Sequence, residues 1–175
     1  MLRALSCGAL LWSLTAVVMA CPTDTVSRKA GVLLTVQGAG AESLSMEAAD
    51  LAALPAARLT QRHTVTSGAS AASEHSTVYA GVLLRDVLSG AGFGAAADRG
   101  ARVGVVEAIA TDGYRAVFSW GELFNSSAGQ HVLIITSQDG RALDNAAGPL
   151  ALRALDDLRP GPRHVRNLCA VVVRR

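Results

Sequence analysis

Apolar positions in this chain alternate more often than they recur at helical spacing. Val32-Leu33-Leu34-Thr35-Val36 is a β-branched run closed by Gly38 and Gly40, which predicts a strand. Arg58 to Thr66 alternates loosely and predicts a second. Val103 to Ala110 and Tyr114 to Ser119 flank the turn dipeptide Asp112-Gly113, so they predict a hairpin. Val132 to Thr136, closed by Asp139-Gly140, predicts another strand, and Leu168 to Val173 a last one. Helix signals are confined to two stretches. Ser43 can cap a helix through Leu54, with Pro55 beyond its end, and Val82 to Leu88 is amphipathic and stopped by Gly90 and Gly92. Ser67 to Ser76 is small and polar and predicts a long loop, the kind of segment that often lines a site. The expected class is α+β, built mostly of sheet.

The chain has 175 residues, enough for one domain with a sizeable core. Residues 1–20 read as a signal peptide. Arg3 gives a positive start, Ala4 to Met19 is apolar, and Val18-Met19-Ala20 offers small residues where a signal peptidase reads. The apolar run falls short of the roughly 20 residues that span a bilayer. The expected mature unit is residues 21–175, with a periplasmic or secreted location. Basic and acidic residues number 16 and 14. That near-balance argues against a nucleic-acid partner. Arg159, Arg163, Arg166, Arg174 and Arg175 gather near the C-terminus and read as a solvated basic end.

No cysteine lies between Cys21 and Cys169. Val18-Met19-Ala20-Cys21 resembles a bacterial lipobox, so Cys21 has three open fates: lipidation, a disulfide with Cys169, or a free thiol. The disulfide would suit an oxidising compartment. The cysteines show no zinc-type spacing.

Aromatic residues are scarce, yet Tyr114, Phe118, Trp120 and Phe124 fall close together and Tyr79 precedes them. They could form hairpin core or a stacking platform for a flat heterocycle. On a continuous strand Tyr114, Phe118 and Trp120 would share one face. Asp112 reads first as a turn-former. Its carboxylate could also accept hydrogen bonds from an amino-pyrimidinone edge. The histidines show no metal-ligand spacing, and His75 stands out by its place in the long loop beside Glu74. No GxSxG elbow, Walker motif or GxGxxG is present.

Taken in order, several segments resemble the oxidoreductase molybdopterin-binding domain of the sulfite oxidase type. They are Leu54-Pro55, Tyr79 to Leu88, Ala110 to Ala116 with Phe118 and Glu122-Leu123, Asp139 to Leu143, Gly148-Pro149-Leu150, and Val165 to Leu168. The likeness runs from about Gly31 to Val173. It implies a mostly β domain with a few helices and a pterin-based cofactor in a cleft. It also implies a metal-binding cysteine after the strand that here ends at Thr64-Val65-Thr66, where this chain has Ser67. A serine hydroxyl is a poor substitute for a thiolate at a soft metal site. The family's arginine after Gly-Pro-Leu is replaced by Ala151.

The reading favoured by this pattern is an exported, non-catalytic binder of a metal-free pterin. Periplasmic relatives of the fold that sense pterins imply a membrane-bound signalling partner. No cofactor is required. Asp112, Tyr114 and Trp120 would recognise and stack the ring, with Tyr79 nearby, and Arg62, Ser67 and His75 would line the entrance. A molybdopterin-dependent oxidoreductase is the first alternative. A structural or protein-interaction module without a ligand is the second.

Overall fold

The computed structural model describes residues 30–38, 43–65, 73–94, 101–159 and 161–174. Ser67 lies outside them. The described chain is mostly strand, with three short α-helices, and builds two packed sheets. The expected α+β class, dominated by sheet, is what the chain adopts.

The first sheet has the order β2-β1-β11-β5-β6. Its strands are β1 Val32–Gly38, β2 Leu44–Glu47, β5 Val105–Ala110, β6 Arg115–Ser119 and β11 Leu168–Arg174. First and last strands pair in parallel, Thr35 opposite Ala170, so the two ends of the domain close one sheet. The second sheet has the order β10-β9-β7-β4-β3. It contains β3 Ala56–Val65, β4 Ser73–Leu83, β7 Val132–Gln138, β9 Ala151–Ala154 and β10 His164–Val165, with β8 Arg141–Ala142 paired to β7.

Alternation in the sequence becomes layering in space. In β1 every second residue is buried, and Leu34 and Val36 point between the sheets. Phe118 of β6 and Val171 of β11 join them from the first sheet. Val82, Ile134 and Leu152 meet them from the second. β7 and β11 are buried on both faces because each sheet carries a smaller cluster on its outer face. On the second sheet that cluster is Tyr79, Leu133, Ile135 and Ala151. On the first it is Ile109, Cys169, Ala170 and Val172.

β7 bulges at Thr136, where β4 steps from Ala80, opposite Ser137, to Gly81, opposite Ile135. A Cβ on Gly81 would stand 1.9 Å from the Ile134 carbonyl oxygen, so only glycine lets the two backbones approach. Gly148 has φ +76°, and a Cβ there would meet the Asn167 side chain at 2.2 Å. That approach brings the Asp144–Leu150 loop against the start of β11.

Several expectations need correction. Leu44–Glu47 is strand rather than helix, because it pairs with β1, and α1 covers only Ala48–Ala52. Glu47 and Asp50 form a reciprocal capping box there, so Ser43 caps nothing. Helix α2 runs Leu84–Gly90. Val82 and Leu83 belong instead to β4, held by ladder pairs to Ile134 and Leu133. Ser73 to Ser76 is strand, not loop, and pairs with Val65 to Arg62. β5 begins at Val105, after a 3-10 turn over Ala101–Val103. Trp120 leaves the strand and opens α3, Trp120–Phe124, capped by the Ser119 hydroxyl.

Candidate functional site

The outer face of the second sheet collects the polar chemistry. β3 and β4 pair without a break from Ala56–Val82 to Val65–Ser73. Strand alternation therefore places His63, His75 and Tyr79 on one face and Arg62 and Glu74 on the other. His63 and His75 sit opposite each other with ring centroids 5.9 Å apart. The Ser73 hydroxyl is 3.1 Å from His75 Nε2. Arg62 and Glu74 form an ion pair at 4.0 Å, both largely exposed, which contributes little.

Tyr79 is buried on the His75 face. Arg153 of β9 donates to its phenolic oxygen, and the guanidinium carbon lies 5.2 Å from the ring centroid. His164 of β10 is the direct ladder partner of Arg153. Its pKa is pushed down to about 4, first by burial and then by the positive charges of Arg153 and Arg166. Among the described residues neither arginine has an acidic side chain in ion-pair range. Gln61 Nε2 donates to the Leu155 carbonyl at 3.4 Å, closing the same face. The result is an apolar floor of Leu59, Leu133, Ile135 and Ala151 edged by two arginines, imidazoles and a phenol. Such a face suits a flat ligand bearing negative charge.

The sequence-derived site residues fall into separate groups. His75 and Tyr79 share the face just described, while Arg62 is on the other side of its strand. Asp112 and Tyr114 form the β5–β6 turn. Asp112 Oδ1 accepts the Tyr114 backbone N–H at 2.9 Å, so one carboxylate oxygen already serves the turn. Tyr114 donates its hydroxyl to the Pro162 carbonyl at 2.7 Å. Thr111 N–H donates to the Asn167 carbonyl at 3.1 Å. These two bonds tie the turn to the segment that carries His164 and Arg166. Trp120 lies at the far end of β6, roughly 20 Å along the strand from Tyr114 at about 3.3 Å per residue. It stacks on Phe124 with centroids 5.0 Å apart. The aromatic cluster is thus split: Phe118 is core, Tyr114 is exposed, and Trp120 and Phe124 pair with each other.

Arg153 and His164 were not singled out from sequence, since neither stands in a motif. Arg163 corrects the picture of a solvated basic end. It is clamped between Asp157 and Glu122 and lies 5.0 Å over the Phe118 ring, which raises its pKa, first through Asp157. Arg174 pairs with Glu107 at 3.0 Å.

The chain matches no family model and no curated protein sequence. Among solved structures, the sulfane dehydrogenase SoxCD of Paracoccus pantotrophus is similar with a TM-score of 0.58. Identity is 15%, over 81% of this chain and 37% of that one. The fold is of the sulfite-oxidase type. This chain spans well under half the length of that relative.

A molybdenum ion, which such a fold implies, asks for a soft thiolate donor. Cys169 does not offer one. It is buried on β11, in the other sheet, and is disulfide-bonded. Its sulfur lies 3.3 Å from the Ile109 carbonyl oxygen, a contact rather than a hydrogen bond, because a disulfide sulfur carries no proton. The disulfide removes the free-thiol fate for Cys169, and both other cysteines lie outside the described residues. Among the described residues no three His, Cys, Asp or Glu side chains converge on a metal position. The described side chains do not fit the metal.

Proposed function

We propose that the protein is an exported, non-catalytic pterin-binding protein that reports to a membrane-bound signalling partner. The observation that carries the reading is Arg153. Ala151 stands where the resembling family has an arginine, yet Arg153 lies two residues on, on the same face of β9. Its guanidinium therefore reaches the apolar floor that a missing arginine would have served. Tyr79, Arg153 and Arg166 would hold an anionic pterin by stacking and charge. Asp112, tied to the Arg166 segment through Thr111 and Asn167, would accept hydrogen bonds from the amino-pyrimidinone edge. Ser67 in place of a thiolate, and the lack of a suitable donor at Cys169, favour binding over redox chemistry. The disulfide at Cys169 and the apolar leader favour an oxidising compartment.

Thermal denaturation with neopterin and neopterin phosphate tests the reading. A bound probe at 100 times its dissociation constant should stabilise the fold by about 2.7 kcal/mol. No stabilisation by either probe would sink it. Stoichiometric molybdenum in the native mass spectrum would overturn the non-catalytic part.

A second reading, an interaction module, has one observation of its own. Val117 of the edge strand β6 is 52% exposed and Val103 is 81% exposed, with Val105 close by on the ladder. Exposed apolar side chains of this kind, at the β6 side of the first sheet, can take a partner chain. Labelling of these valines that is unchanged by any membrane extract would count against it.

A further inference from the structure

On the other side of the second sheet, at the open β3 edge, a cavity of about 640 Å³ separates that sheet from α1. Its volume falls in the range of small-molecule sites, roughly 300–1,000 Å³. Leu33, Leu51, Leu54, Val82, Pro149 and Leu150 supply its apolar walls. It stays open because Ala48, Ala52, Ala56 and Ala80 are too short to fill the gap. Leaving that much apolar wall in contact with water is unfavourable, so a non-polar occupant is favoured. Only two lining residues have polar side chains, Arg58 and Thr136. The Thr136 hydroxyl is used by the Ala80 carbonyl, at 3.3 Å. Arg58 is exposed and stands at the rim, and among the described residues no acidic side chain pairs with it.

One cation at the mouth of an apolar cavity matches a carboxylate at the end of an apolar chain. We propose that this cavity binds a single-chain fatty acid, with the acyl chain between α1 and β4 and the carboxylate on Arg58. The site is separate from the pterin face, because Arg58 and Ala80 point to the inner side of the sheet while Tyr79 points to the outer. Binding of one would leave the other accessible.

Calorimetric titration of the full chain with decanoate and decanol, below micelle-forming concentrations, tests this. Decanoate should bind one per chain, and decanol about fivefold more weakly, the scale of an exposed ion pair. Arg58→Gln should erase that preference while leaving the melting temperature unchanged. Ala52→Trp, at the cavity-lining end of α1, should abolish binding of both, with circular dichroism reporting that the sheet persists. Equal affinities that Arg58→Gln does not alter would overturn the carboxylate assignment. No binding of decanoate would overturn the proposal, and uptake of an acidic leucine-bearing peptide instead would assign the cavity to a partner chain.

Discussion

Arg153 donates to the Tyr79 hydroxyl while its guanidinium lies 5.2 Å from the Tyr79 ring centroid. One side chain thus satisfies the buried phenol and also leaves positive charge at the edge of the sheet. The two roles separate by substitution. Tyr79→Phe keeps the ring and removes the acceptor, which should cost about 1 kcal/mol of stability in urea denaturation. Arg153→Lys keeps the charge but not the planar fork. It should weaken neopterin phosphate about tenfold, roughly 1.4 kcal/mol, and leave unphosphorylated neopterin unchanged. Equal loss for both probes would remove Arg153 from anion recognition.

His164 gives the fold a pH dependence of defined sign. Its folded pKa is near 4, below the ordinary 6.5, through burial and the charges of Arg153 and Arg166. Between those values the unfolded chain binds the proton more readily than the folded one. Stability is therefore complete above about pH 6.5 and falls as pH drops toward 4. The group is only partly buried, so screening should limit the loss to about 1 kcal/mol. Urea denaturation at pH 7 and pH 5 measures it. His164→Gln should flatten that slope, and a bound anion beside the arginines should flatten it too.

The fold was legible where patterning is strong and local. β1, β7 and β11 carry apolar runs rich in β-branched residues, and the Asp112-Gly113 turn sets the β5–β6 hairpin. Short strands escaped for a physical reason. Ala151–Ala154 and His164–Val165 have little intrinsic strand preference and form because β7 and β9 offer them ladders. Val82 and Leu83 follow the same logic, since cross-strand pairs override their helical spacing. The site was less legible. Arg153 and His164 are brought together by a two-residue strand pair, which no spacing along the chain announces. Trp120 would share a face with Tyr114 only on a strand that continued past Ser119, where the side-chain cap starts α3.

Gly81 tests the packing of β4 on β7. A Cβ there would meet the Ile134 backbone at 1.9 Å, and backbone cannot swing aside as a side-chain tip can. Gly81→Ala should destabilise by about 2–3 kcal/mol, the scale of an overpacked core. Because Tyr79 lies two residues away, the variant should also weaken any ligand on the outer face. A neutral result in thermal denaturation would mean that the bulge relaxes.

Asp112 separates turn formation from ligand recognition. Asp112→Ala removes the acceptor for Tyr114 N–H and should cost about 1 kcal/mol. Asp112→Asn keeps a side-chain oxygen for that bond and removes only the charge. If the carboxylate recognises the amino-pyrimidinone edge, Asp112→Asn should weaken neopterin by at least about tenfold at unchanged melting temperature. A residue that merely holds the turn would show the reverse: stability lost in the alanine variant, and neopterin affinity untouched in the asparagine one. Fluorescence titration of the two variants decides between these, because the Tyr114–Pro162 and Thr111–Asn167 bonds keep the turn seated in both.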